Sequence, residues 1–174
     1  MDILSISSGL GGASGDGSPS QDALRTLQQI PQTVATADLS FAREGLAGAL
    51  AAANTIALFG GDGRRVLLQA QGAMASAAAD VKTIAAGIVA QTAGSPAGAV
   101  GGQAALSGLG QTVQGIGSLA AAIVNAPAVY RHAPGEPGPR GSIAAIHASL
   151  GQMADAIAAG RDGLLAPSAL DLTI

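Results

Sequence analysis

Leu106, Leu109, Val113, Ile116, Ala120 and Ile123 follow one another at steps of three and four residues. A strand changes face at every residue and cannot keep these six on one side, whereas a helix of 3.6 residues per turn does. The stripe lies within residues 83–130, which carry no charged side chain, and it is interleaved with Gly108, Gly110, Gly115 and Gly117. Each glycine costs an exposed helix roughly 1 kcal/mol against alanine. Four of them make sense where another backbone lies close, because small residues permit close approach. The expectation is a helix from about Gln103 to Asn125 held tightly among other helices.

The flanking segments carry the same kind of signal. Leu67, Met74, Val81 and Ile88 recur every seventh residue, with Ala70, Ala77 and Ile84 between them. This predicts a helix from Arg64 to Thr92. Leu39, Leu46 and Ala53, interleaved with Ala42, Ala49 and Ile56, predict another that starts at Gln32 or Asp38 and ends at Phe59. Gly60-Gly61-Asp62-Gly63 joins the two as a tight turn, so they should form an antiparallel helical hairpin. Upstream, Ser18-Pro19-Ser20-Gln21 combines a cap, a proline at the first helical position and a capping box. A short helix is expected there, reaching about Gln29 and stopping before Pro31.

Gly94-Ser95-Pro96 should break the chain after Thr92, and Asn125-Ala126-Pro127 should close the glycine-rich helix. Ser142 then caps a last helix in which Ile143, Ile146, Leu150, Met153 and Ile157 again step by three and four, ending near Gly160-Arg161-Asp162-Gly163. The predicted fold is all-α: long antiparallel helices, as a hairpin or bundle, with Ala/Gly-rich coiled-coil-like seams and short extended termini. Its parts are an extended N-terminal segment (1–17), a helical core (18–126), a Pro/Gly-rich linker (127–141), a C-terminal helix (142–165) and an extended tail (166–174).

Composition narrows the function. The 174 residues suit one domain. Aromatics make up only 2% (two Phe, one Tyr, no Trp), while hydrophobic content is still 48%. Alanine carries that share, and alanine fills narrow spaces between helices. Charged residues are 11% and the net charge is -3. Lys82 is the one lysine, and Arg64-Arg65 the one adjacent basic pair. Nucleic-acid binding needs a basic face, so no nucleic-acid partner is expected. The absence of cysteine excludes disulfides and thiol chemistry. The N-terminal MDILSISSGLGGASGDG lacks the basic and long apolar regions of a secretory signal. The expected location is therefore cytoplasm, virion or outside the cell by a signal-independent route.

The motifs that would carry chemistry are incomplete. Gly115-Ile116-Gly117-Ser118-Leu119-Ala120 matches a dinucleotide fingerprint, but no apolar strand precedes it, and the nearest acidic candidate downstream, Glu136, sits in the proline-rich linker. His132 stands beside Arg131, and His147 lies between Ile146 and Ala148. Neither has a carboxylate cluster or a zinc-binding spacing around it, and no nucleophile elbow is present. No catalytic, cofactor-binding or metal-ligating residue is assigned, and the chain is expected not to be an enzyme. Gly135 to Gly141 hold two collagen-like triplets, too few for a triple helix. Membrane insertion is the weaker alternative for the neutral run 83–130. Its most apolar window, Leu106 to Val124, contains Gln111 and Gln114, and it has no basic face.

The remaining reading is a non-enzymatic structural subunit that self-associates into a filament, sheath or virion-like assembly, with further copies of itself as the partner. Gly108, Leu109, Val113, Gly115 and Ile116 on the neutral helix are the expected contact residues, with Ile3, Ile6, Leu172 and Ile174 at the apolar ends. The composition is similar to that of bacterial export-apparatus filament proteins: no cysteine, almost no aromatics, abundant alanine, glutamine and serine. A helical protein that coats or inserts into a lipid or polymer surface is the alternative.

Overall fold

The computed structural model describes residues 19–92, 95–132 and 134–165, and the side chains from Leu39 onward. The expected extended segments at 1–17 and 166–174 lie outside the described residues. Within them the chain is helical: α1 (Pro19–Phe59), α2 (Arg64–Thr92), α3 (Pro96–Val124) and α4 (Arg140–Leu165), with a short 3-10 turn at Pro127–Tyr130. α2 and α3 each pack against all three other helices, whereas α1 and α4 scarcely touch. The bundle is therefore built around the α2–α3 pair, with α1 and α4 on either side.

The periodic residues fill the core. Leu46, Leu67, Met74, Leu106, Ile116, Ile123, Ile146 and Met153 are fully buried, and Ala49, Ala53, Ala70, Ala77 and Ala120 lie among them. Burying a leucine, isoleucine or methionine side chain contributes about 1.5–3 kcal/mol, but a single methyl only about 0.8 kcal/mol. A core with this much alanine gains little per residue, so close approach has to compensate for small side chains. Small residues provide it. Cβ atoms placed on Gly102 and Gly160 would lie 2.8 Å from Leu164 Cδ1 and 3.2 Å from Leu106 Cδ1, and one on Gly117 3.3 Å from Leu150. α2 is approached in the same way: such an atom on Gly163 would lie 3.3 Å from Val89, and one on Gly45 3.3 Å from Ala73.

Element boundaries depart from expectation in four places. α1 runs unbroken through Pro31, where a break between two helices was expected. Proline deprives an interior helix of one hydrogen bond and crowds the preceding turn, but α1 has 41 residues and continues on both sides. α3 begins at Pro96 rather than near Gln103, because Ser95 caps it: the hydroxyl accepts the Gly98 N–H at 3.0 Å, with proline at the first helical position. α4 begins at Arg140, before Ser142, and continues through Gly160 and Gly163 to Leu165.

The fourth departure lies in the expected linker. Its first four residues form the 3-10 turn, and Ala128 and Val129 in it are buried against α1 and α2. The α1–α2 turn is locked to this element. Gly60 and Gly61 take φ of 83° and 145°, values that only glycine adopts readily. Asp62 Oδ1 accepts the Arg64 N–H at 2.9 Å. Gly63 donates its N–H to Arg131 O at 3.0 Å, and Arg131 Nη1 reaches back to Ile56 O at 3.1 Å. A Cβ on Gly63 would overlap Ala128 O and lie 2.7 Å from Val129 Cα.

Gly63→Ala should therefore destabilise the fold by about 2–3 kcal/mol, through overpacking and loss of the Arg131 contact. Gly72→Ala, on α2 with nothing within 4 Å of the new methyl, should stabilise it by up to about 1 kcal/mol. Urea denaturation of both variants followed by circular dichroism measures the contrast.

Candidate functional site

The apolar stripe of α3 points inward. Leu106, Leu109, Val113, Ile116, Ala120 and Ile123 are all buried. Leu109, Val113 and Ile116 belong to the chain's own core, so they are not the contact residues of an exposed association face. Gly108 and Gly115 are exposed, and a Cβ on either would meet nothing within 4 Å. Among the described residues no other backbone lies against them. Of the four interleaved glycines, Gly117 faces a neighbouring side chain closely, and a Cβ on Gly110 would lie 3.9 Å from Arg161 Nη2. The tight α3–α4 approach is made by Gly102 and Gly160, which extend the two apolar stripes by one step: four residues before Leu106, and three after Ile157. Ile3, Ile6, Leu172 and Ile174 lie outside the described residues.

The outer face of α3 carries Gly101, Gly108, Gly115 and Ala122 at seven-residue intervals, alongside Ala104, Gln111 and Ser118. No charge stands on it. Its hydroxyls are satisfied within the helix: Ser107, Thr112 and Ser118 donate to Gln103, Gly108 and Gln114 carbonyls at 2.9, 3.2 and 3.0 Å. Such back-bonding leaves no hydroxyl that must find a new partner if the face is dried.

A second feature is the placement of the large apolar residues. Phe41, Phe59 and Tyr130 are all exposed, Phe59 to 83%. These are all the aromatics of the chain. Leu58, Phe59 and Tyr130 stand at the end of the bundle where the Arg131–Ile56 hydrogen bond ties the chain together. Val100 and Leu165 are exposed as well.

Concavities lie elsewhere among the described residues. An open groove of about 880 Å³ runs between α2 and α4, walled mainly by alanine with Lys82, Gln152 and Asp155. A smaller hollow of about 230 Å³ lies where residues 137–142 cross α2, near Arg64 and His132. Beside it Arg64 and Glu136 form an ion pair at 3.6 Å, and both are exposed enough that solvent weakens it. His132 Nδ1 is 2.9 Å from Tyr130 O, and His147 is exposed on α4. Among the described residues no three His, Asp or Glu side chains gather where they could hold a metal ion.

Because Ile116 is fully buried, Ile116→Ala should lower stability by about 2–5 kcal/mol, while Gln111→Ala should leave it within about 0.5 kcal/mol. Guanidinium unfolding of the two variants checks this. No family model, no curated protein and no solved structure matches this chain.

Proposed function

We propose that the chain is a non-enzymatic structural subunit that self-associates into a filament, sheath or virion-like assembly. The observation that carries this reading is the outer face of α3. Gly101, Gly108 and Gly115 each incur the helix penalty of glycine, yet no other described residue comes within 4 Å of a methyl placed there. A second copy is the partner that gives the close approach a purpose, because exposed apolar patches mark association sites. Bringing the face into contact desolvates no charge, and its hydroxyls are already satisfied. The exposed Leu58, Phe59, Val100 and Leu165 would supply larger anchors elsewhere on the surface.

The arrangement best suited to this role is an up-and-down bundle in which helices consecutive in the chain are antiparallel, with small-residue seams. The pairings of Gly102 with Leu164, Leu106 with Gly160 and Gly117 with Leu150 support it, since one helix index rises as the other falls. The pairings of Gly45 with Ala73 and Gly48 with Gln69 support it for α1 and α2. A rod of this kind presents its α3 face along its length, as a filament subunit requires.

The second reading, a protein that coats or enters a lipid or polymer surface, is favoured by α2, which is long and apolar enough to cross a membrane by length and composition. Against it, Leu67, Met74 and Val81 on that helix are buried by its neighbours.

The test is a paired glycine substitution. Gly108→Ala with Gly115→Ala should raise the stability of the isolated chain by up to about 2 kcal/mol in sum. The same pair should weaken self-association by about tenfold or more, since each methyl holds the partner backbone away. Sedimentation velocity and urea denaturation of one preparation give both readings. Stabilisation with unchanged association would contradict the proposal.

A further inference from the structure

The groove between α2 and α4 is not explained by the α3 face. α2 presents Ala75, Ala79 and Ala86 to it, and α4 presents Ala156 and Ala159. One wall carries a single cation, Lys82, and the other a single carboxylate, Asp155. Both are exposed, and neither forms an ion pair or hydrogen bond with another described residue. Gly160 lies beside Ala85, and Gly163 beside Val89, so α2 and α4 run in the same direction. At a rise of about 1.5 Å per residue this register places Asp155 within about one turn of the level of Lys82.

A face with opposite charges at one level on two parallel helices is complementary to itself under one rotation. We propose that this groove is a twofold contact with a second copy of the chain, in which α2 of each copy lies over α4 of the other. The axis runs along the helices. That rotation brings Lys82 of each copy opposite Asp155 of the other, twice over. The other in-plane axis, across the helices, would set α2 against α2 and bring like charges together. Charge therefore selects the first arrangement. The alanine walls let the four helices come close, and Gln152 offers a neutral hydrogen-bonding group at the rim. The inference rests on the self-association reading and adds a second contact on a different side of the bundle from the outer face of α3.

The experiment uses the full chain with Gly108→Ala and Gly115→Ala, so that the α3 contact is weakened and the groove contact is what remains. Lys82→Glu and Asp155→Lys are each introduced separately, and circular dichroism verifies that these exposed changes leave the helices intact. Sedimentation equilibrium should show a dimer for the parent and about tenfold or greater weakening for each single reversal, because each creates two like-charge contacts. A one-to-one mixture of the two variants should recover the parent's association. In the mixed dimer the carboxylate introduced at position 82 faces the ammonium introduced at position 155, and the unaltered Asp155 of one copy faces the unaltered Lys82 of the other. An ion pair within one chain would not be restored by mixing, and neither would a lipid, a small ligand or a different protein in the groove. A monomeric parent, single reversals without effect, or a mixture no tighter than its components would each overturn the groove contact. Polymers that persist in the glycine-substituted parent would instead speak against the α3 face, and the effect of the charge reversals on those polymers would still decide the groove.

Discussion

Leu106 of α3 sits against Gly160 of α4, and the bundle depends on this kind of fit. A chain with almost no aromatics cannot fill a wide interior. It has to bring helix axes together until leucine, isoleucine and methionine reach across the gap. Glycine opposite a large residue makes that possible at several points. Gly102 against Leu164 and Gly117 against Leu150 repeat the device along the same interface, and Gly163 against Val89 extends it to α2. Enlarging the glycine at such a point overpacks the interface, and trimming the large partner leaves a cavity.

The same economy of side chains has a consequence outside. With the interior filled by Leu, Ile, Met and Ala, the two phenylalanines and the tyrosine remain on the surface. Outward positions are taken by alanine, glycine, serine and glutamine, and α3 has no charge to hold water around it. A single copy therefore shows water an unusually neutral exterior. Repeated contact with further copies would cover it, and the α3 face and the α2–α4 groove offer two different sides for such contacts.

Much of the fold is legible in the sequence, and the exceptions have physical causes. The sevenfold spacing of Leu67, Met74 and Val81 locates α2 to its ends, since Gly63 and the Gly94-Ser95-Pro96 break bound it clearly. The inward residues of α3 follow from their three-four spacing. The glycines are harder, because proximity in sequence is a poor guide to position on a helix. Gly108 and Gly115 sit next to buried residues but one position off the stripe, whereas Gly102 and Gly160 continue the stripes and face the neighbouring helices. That signal is present: one further step of four before Leu106 lands on Gly102. The Ser95 cap is equally readable, having the same Ser-Pro pattern as Ser18-Pro19. The fate of Pro127–Tyr130 is not. Its burial depends on the tertiary approach of Gly63 to Ala128, which no local pattern encodes.

We propose that the neutral exterior is covered by further copies of the chain. The most direct measurement is the mass of the unaltered chain in detergent-free buffer across a hundredfold range of concentration, by sedimentation velocity with electron microscopy of the same samples. The account predicts species that grow with concentration into ordered polymers or closed assemblies of repeating subunits. A monomer of constant mass at every concentration would contradict it.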